Sequence, residues 1–283
     1  IRDRYILTHS FLIKNDDFDL WCKLENIENG VALFSNKISE PMAMTTQMVG
    51  KLANDIVTSL KVETKQDVMK APTADTEAYE YYLRANYIYD KRENLKDIEV
   101  ARGLYKKAIE LDDNLIVAKD LLGWTYSEMG DYDKAMEIYS YALKHAELLG
   151  DDRGKGNCFN NIGNIYNRQG NYDKALEYLA RSLKIGEQLS DKSGTANSQN
   201  NIGNIYKNQE DYDQAMIYFK RSLTLSKEID DKIMIAKTLG NIGDTYMSQG
   251  NYKKAMKYIK RSLVLNKEQR NKQLVTWNLY SIG

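Results

Sequence analysis

The chain has 283 residues, and its 40 Lys and Arg balance its 40 Asp and Glu. A formal net charge of zero gives no overall field that would favour nucleic acid or an anionic membrane as a partner. No apolar run approaches the roughly 20 residues of a membrane-spanning helix. The two cysteines, Cys22 and Cys158, share no motif. Because so few cysteines fit a reducing compartment, we expect a cytoplasmic protein.

The first 62 residues predict a small α+β piece, made of a three-stranded antiparallel meander and one helix. Residues 5–13 and 18–24 are rich in apolar and β-branched side chains, as strands are. Asn29 and Gly30 form a hairpin signal before a third strand over residues 31–34. Pro41 then opens a helix predicted over residues 42–60.

This piece resembles the second half of a TolB-like amino-terminal domain, through its strand 18–24, its Asn29-Gly30 turn and the helix ending at residues 56–60. The first strand and helix of such modules are missing, so we expect further residues upstream of Ile1. In bacterial proteins such pieces often follow a class III nucleotide cyclase or a DNA-binding domain. The resemblance therefore implies an alternative function, as the C-terminal regulatory region of a signalling protein whose catalytic or DNA-binding part lies upstream.

Beyond a polar linker over residues 63–75, the chain repeats every 40 residues. The hexapeptide Asn-Ile-Gly-Asn-Ile-Tyr at 161–166 recurs at 201–206 and, with changes, at 121–126 and 241–246. A second block, Tyr-Asp-Lys-Ala at 172–175, keeps the same period. Two helical blocks per period, repeated without drift, predict a stacked array of helical hairpins over residues 76–283.

The array resembles the tetratricopeptide repeat family, and its 40-residue period is similar to the repeats of kinesin light chains and of Leu-Gly-Asn polarity scaffolds. The resemblance implies a mostly α fold, an α-α superhelix of about five hairpins plus a terminal helix, whose first helices line a concave groove. The matching positions are Gly163, Tyr166, Gly170, Tyr172, Ala175, Leu179, Ser182 and Leu183. Glu210 replaces the glycine that ends other first helices, so we expect its turn to be built differently.

An asparagine ladder follows the remaining face of the first helices. Asparagine is a mediocre helix former, but each amide can donate to and accept from the peptide groups of an extended chain. We therefore predict a non-catalytic protein-interaction scaffold that binds a protein or peptide segment in the groove. The predicted peptide-binding residues are Asn157, Asn160, Asn164, Asn167, Arg168, Asn197, Asn200, Asn201, Asn204, Lys207, Asn208, Lys237 and Asn241.

Two other roles for the ladder stay open. Asn161, Asn201 and Asn241 could equally hydrogen-bond between repeats, because buried amides usually have internal partners. Some tetratricopeptide domains clamp a terminal carboxylate, and Asn164, Asn201 and Lys237 match that pattern. Asn160 and Asn241 stand where the clamp has a lysine and an arginine, which disfavours this interpretation because charged contacts carry the recognition.

The remaining signals favour structural roles. The repeated tyrosines (126, 166, 206, 246 and 132, 172, 212, 252) predict core, and Glu177 predicts an ion pair with Arg181. His9 and His145 have no metal-ligand spacing around them. We find no phosphate loop or nucleophile elbow. The sequence therefore predicts no cofactor, no enzyme and no nucleic-acid or membrane contact, with self-association through the open ends or the edge strands as a further alternative.

Overall fold

The structure, a computed structural model, describes residues 5–14, 17–26, 32–41 and 73–268. The chain divides into two compact units, Ile1–Ala118 and Lys119–Gly283. Strands β1 (Tyr5–Lys14), β2 (Asp17–Asn26) and β3 (Ala32–Pro41) form an antiparallel sheet in the order β1-β2-β3. The helix predicted over residues 42–60 and most of the predicted linker lie outside the described residues. The α+β piece as a whole therefore stays a prediction.

Residues 73–268 contain ten helices, arranged as five antiparallel hairpins. The helices are α1 (Thr76–Lys91), α2 (Leu95–Leu111), α3 (Ile116–Glu128), α4 (Tyr132–Leu149), α5 (Asp152–Arg168), α6 (Tyr172–Gln188), α7 (Lys192–Asn208), α8 (Tyr212–Glu228), α9 (Lys232–Ser248) and α10 (Tyr252–Glu268). The terminal helix predicted after α10 lies outside the described residues.

Helix boundaries follow from capping residues that recur every 40 residues. Each cap accepts a hydrogen bond from the backbone N–H three residues further on, which satisfies one of the unpaired donors at a helix start. The caps of the first helices α5, α7 and α9 are Asp151, Asp191 and Asp231. The caps of the second helices α4, α6 and α8 are Asp131, Asn171 and Asp211. The 40-residue period in the sequence is thus a period of helix starts.

The turn at Glu210 differs from our expectation. Glu210 adopts a left-handed conformation with φ of 63°, close to the 76° of Gly170 and the 73° of Gly250 at equivalent positions. The prediction that this turn is built differently was therefore wrong. Its backbone N–H bonds to the carbonyl of Lys207, as that of Gly170 bonds to Asn167. The turn keeps its geometry although a side chain in this conformation costs about 1 kcal/mol.

The core of the second unit lies between neighbouring hairpins. The first helices α5, α7 and α9 each pack on their own second helix and on the second helix before it. Ala175 and Leu179 of α6, for example, form one buried cluster with Ile202 and Ile205 of α7. Each hairpin therefore buries its apolar flank only with the help of the next one, as expected for a repeat array. Among the tyrosines predicted to be core, Tyr252 is an exception, because it is 68% exposed.

In four of the five hairpins, the close approach of the two helices depends on a glycine in the first helix. A Cβ atom built on Gly163 would lie 2.8 Å from Leu179 Cγ and 3.2 Å from the backbone oxygen of Ala175. Gly243 is equally crowded, with Ile259 Cγ1 at 2.6 Å and the oxygen of Ala255 at 3.3 Å. Since a backbone oxygen cannot rotate away, a side chain at these positions would separate the paired helices.

Candidate functional site

A row of hydrogen bonds connects the first helices of successive hairpins, and we call it the inter-repeat row. In each case an asparagine Nδ2 donates to an oxygen 41 residues earlier in the chain. The row consists of three bonds, Asn161 to Asp120 Oδ1 (2.6 Å), Asn201 to Asn160 Oδ1 (2.9 Å) and Asn241 to Asn200 Oδ1 (3.0 Å). A fourth bond of the same spacing, from Asn208 to Asn167 Oδ1 (3.1 Å), is exposed and is not counted in the row. The structure therefore shows the inter-repeat role for Asn161, Asn201 and Asn241.

Two hydroxyl groups extend this row. Asn160 Nδ2 donates to Ser198 Oγ at 3.2 Å, and Thr238 Oγ1 donates to Asn200 Oδ1 at 3.2 Å. Asn200 is fully buried and Asn160 nearly so. Asn201 and Asn241 are buried as well, so our prediction that Asn160, Asn200, Asn201 and Asn241 contact a peptide conflicts with the structure. Asn160 has internal partners for both groups of its amide, and Asn200 has them, within the described ranges, for Oδ1 but not for Nδ2.

Sequence analysis missed Asp120, Ser198 and Thr238 as members of the row. The signal was present, because Asp120 stands 40 residues before Asn160, and Ser198 stands 40 residues before Thr238. The hydroxyl groups were overlooked because serine and threonine in a helix often bond only to their own backbone.

Helix geometry explains why some asparagines of the stripe bond between repeats while others stay accessible. At about 100° per residue, Asn157, Asn164 and Arg168 lie within about 20° of one line along α5. Asn160 lies about 60° to one side and faces the following hairpin, where it bonds to Asn201. Asn161 lies about 40° to the other side and faces Asp120 of the preceding hairpin. The edges of the stripe hold the array together, and its centre stays open.

The open centre recurs on each first helix, and together with the accessible residues of the last turn of that helix we call it the open face. All its members are exposed or half-buried, and the first helices that carry them contact one another from hairpin to hairpin. The members are Asn157, Asn164, Asn167, Arg168, Asn197, Asn204, Lys207, Asn208, Lys237 and Asp244. Nine of these were predicted as peptide-binding residues, and Asp244 was not.

Several amides of the open face have bonding capacity to spare. Asn157 and Asn204 make no side-chain hydrogen bond to any residue in the described part of the chain. Asn164 donates to Asn160 at 3.1 Å. Asn197 has only long contacts of 3.5 Å, among them one accepted from Lys237 Nζ. Asn157 and Asn197 also line a surface cavity of about 410 Å³ together with Arg153, Asp191 and Met234.

The charges of the open face are of both signs. Burial lowers the pKa of Lys237, and the positive charge of Arg168 lowers it further. Burial raises the pKa of Asp244 to about 6, although the nearby Lys207 acts in the opposite direction. Half-buried cations beside uncharged amides form a surface that can accept both peptide groups and acidic side chains.

Asp120 at the start of the inter-repeat row should make stability depend on pH. Burial raises the pKa of Asp120 to about 6, and the hydrogen bond from Asn161 only partly offsets this effect. Because the folded state holds this proton more tightly than the unfolded state, the free energy of unfolding falls as pH rises from about 4 to about 6. Asn at the equivalent positions 160 and 200 accepts the same bond without a charge.

We therefore expect Asp120→Asn to raise the free energy of unfolding by about 1–2 kcal/mol at pH 7, and to have little effect at pH 4. Urea denaturation of both proteins at the two pH values measures the difference. A gain of the same size at both pH values would show that the buried charge is not its cause.

Within the described residues, no group of three His, Cys, Asp or Glu side chains could hold a metal ion. Nor is any of the described helices both long and apolar enough to span a bilayer.

The tetratricopeptide repeat family matches residues 120–188, 156–228 and 194–268. These matches together cover more than half of the chain, which therefore belongs to the tetratricopeptide repeat family. Proteins of this family are generally non-catalytic scaffolds for protein interactions, which fits the all-helical hairpins of residues 73–268. No curated protein matches the sequence.

Solved structures with a similar fold come from several proteins. BtubC (BKLC) from P. vanneervenii has a TM-score of 0.53 at 20% identity, over 81% of this chain and 91% of that one. A Rap protein complexed with Competence and Sporulation Factor has a TM-score of 0.65 at 20% identity, over 84% and 76%. Aspartyl phosphate phosphatase F from Bacillus subtilis has a TM-score of 0.58 at 17% identity, over 73% and 55%. At these identities the similarity shows the fold alone.

Proposed function

We propose that the chain is a non-catalytic protein-interaction scaffold that binds an extended peptide segment on its open face. The observation that carries the proposal is the repetition of amides with bonding capacity to spare, at Asn157 and Asn197 and again at Asn164 and Asn204. Packed helices lie about 8–10 Å apart, and an extended chain advances about 3.3 Å per residue. Equivalent amides on successive first helices would therefore meet about every third residue of the peptide.

The scaffold would bind through a surface that is already ordered. The inter-repeat row fixes the spacing of the first helices, so little conformational entropy is lost on the protein side when a peptide binds. Arg168, Lys207 and Lys237 would add charge-assisted contacts to acidic side chains. A Rap protein, which has a similar fold, was solved in complex with Competence and Sporulation Factor.

Some finer features remain part of this proposal. The 40-residue spacing of helix caps supports a repeat type similar to kinesin light chains and Leu-Gly-Asn scaffolds. The carboxylate clamp has weaker support, because Asn201 is buried and bonded to Asn160. The alternative role in a cyclase or transcription regulator has no support in the comparisons, so we do not propose it. The cytoplasmic location and self-association stay predictions.

We expect Asn164→Ala combined with Asn204→Ala to weaken peptide binding at least 10-fold, because both amides lie on the open face and outside the inter-repeat row. The melting temperature should fall by no more than about 2 °C, since surface substitutions rarely exceed 0.5 kcal/mol. Peptides selected from a displayed library on the wild-type chain supply the ligands, and fluorescence anisotropy gives their affinities.

The matched control is Gln188→Ala combined with Gln214→Ala, which removes two exposed amides from the second helices α6 and α8. It should leave peptide binding unchanged. If the control weakens binding as much as the open-face variant does, the peptide lies elsewhere. If the open-face variant loses several kcal/mol of stability and still binds, Asn164 and Asn204 are structural residues.

A further inference from the structure

The neutral charge of the whole chain conceals a strongly basic end. Residues 252–283 contain eight of the 40 Lys and Arg but only one of the 40 Asp and Glu. Six of these cations belong to α10, and all six are exposed. They are Lys253, Lys254, Lys257, Lys260, Arg261 and Lys267. We call this surface the α10 basic face.

None of the six cations of the α10 basic face forms an ion pair with any residue over 73–268. The contrast is with α6, where Arg181 pairs with Glu177, and with α8, where Glu228 pairs with Lys192. The positive field of this helix is therefore directed to the solvent.

The first turn of α10 has a cation where the equivalent helices have an acidic residue. The second residue of α4, α6 and α8 is an aspartate, whose negative charge favours a helix N-terminus. Lys253 occupies that position in α10, whose first turn has no acidic residue. Lys253 and Lys257 also repel each other across one helical turn. Departures from a local rule of this kind are expected at functional sites.

Most of the cations form one stripe. Lys253, Lys257, Lys260 and Lys267 lie within about 40° of one line along the helix, with the half-exposed Val264 at its centre. The stripe is about 21 Å long at 1.5 Å per residue. An extended peptide of about six residues would cover it.

We propose that the α10 basic face binds an acidic protein segment, at a site separate from the open face of the first helices. The charge of the stripe requires an anionic partner. Because the neighbouring second helices also carry acidic residues, we expect this anionic partner to be small. A nucleic-acid duplex or a vesicle surface extends beyond α10 onto α8, where Asp213 and Glu228 offset two of the three cations Lys220, Arg221 and Lys227. A short acidic segment remains on the denser cations of α10.

The test is fluorescence anisotropy of the full chain with a labelled peptide of about six glutamates, a length set by the stripe, at physiological salt. We expect saturable binding that Lys257→Glu combined with Lys260→Glu weakens at least 10-fold. The matched control is Lys144→Glu combined with Lys184→Glu, which changes the net charge equally at exposed positions on α4 and α6. It should weaken binding less than threefold, and Asn164→Ala with Asn204→Ala should not affect it.

Each other outcome overturns the proposal. Failure of the glutamate peptide to bind removes the site, and equal losses in both charge-reversal pairs reduce it to an effect of net charge. Tighter binding of single-stranded DNA of equal charge, or of phosphatidylserine vesicles, would assign the face to those partners. Circular dichroism of all variants confirms that folding is unchanged.

Discussion

Asn200→Ala should lower the free energy of unfolding by about 2–4 kcal/mol, although it removes only a small polar side chain. Asn200 Oδ1 accepts hydrogen bonds from Asn241 Nδ2 and Thr238 Oγ1, and all three side chains are buried. Truncation would leave two buried donors without this acceptor, and each such donor costs about 1–3 kcal/mol. The Nδ2 group of Asn200 has no hydrogen-bond partner among the described residues, so its loss offsets little.

The matched control for Asn200→Ala lies four residues further along the same helix. Asn204 makes no side-chain hydrogen bond to the described residues, so Asn204→Ala should change stability by less than about 0.5 kcal/mol. Urea denaturation followed by circular dichroism measures both. Equal losses in the two variants would show that the inter-repeat row is not the source of the stability.

Gly163→Ala should also destabilise the protein, against the helix propensities of the two residues. Alanine favours a helix by about 1 kcal/mol over glycine. At this position the new Cβ would lie 2.8 Å from Leu179 Cγ and 3.2 Å from the backbone oxygen of Ala175. Overpacking of this kind costs about 1–3 kcal/mol. We expect a lower melting temperature, measured by thermal denaturation.

Gly103→Ala should have the opposite effect and raise the melting temperature. Gly103 lies inside α2, and a Cβ there would have no atom within 4 Å. Only the gain in helix propensity remains, so this variant should be more stable by about 0.5–1 kcal/mol. If both substitutions stabilise the protein, the paired helices can separate without loss, and the close contact at Gly163 is not required.

The repeat architecture was predictable because its signals are local and periodic. Gly170 followed by Asn171 predicts a helix end and the next helix start, and the structure has both. The crowding at Gly163 and the ion pair between Glu177 and Arg181 follow from helical spacing in the same way. Such features depend on residues within one hairpin, whose geometry a sequence specifies almost alone.

The division of the asparagine ladder was not predictable, because it depends on where the neighbouring hairpins lie. Asn160 and Asn164 belong to the same stripe by helical spacing, and only the position of the next first helix separates them. That helix buries Asn160 against Asn201 and leaves Asn164 half exposed. Glu210 shows a similar effect, since the surrounding turn imposes a conformation that its own preference opposes.

The inter-repeat row also gives the array a direction. A central repeat donates an amide to the repeat before it and accepts one from the repeat after it, as Asn201 and Asn200 do. The repeat of Asp120 has Leu121 at the donor position, so it can begin the series but not continue one. The repeat of Asn241 has Gly240 at the acceptor position, so it can close the series but not extend it. A longer version of this protein could therefore be made by duplicating a middle unit, whereas the outer two cannot exchange places.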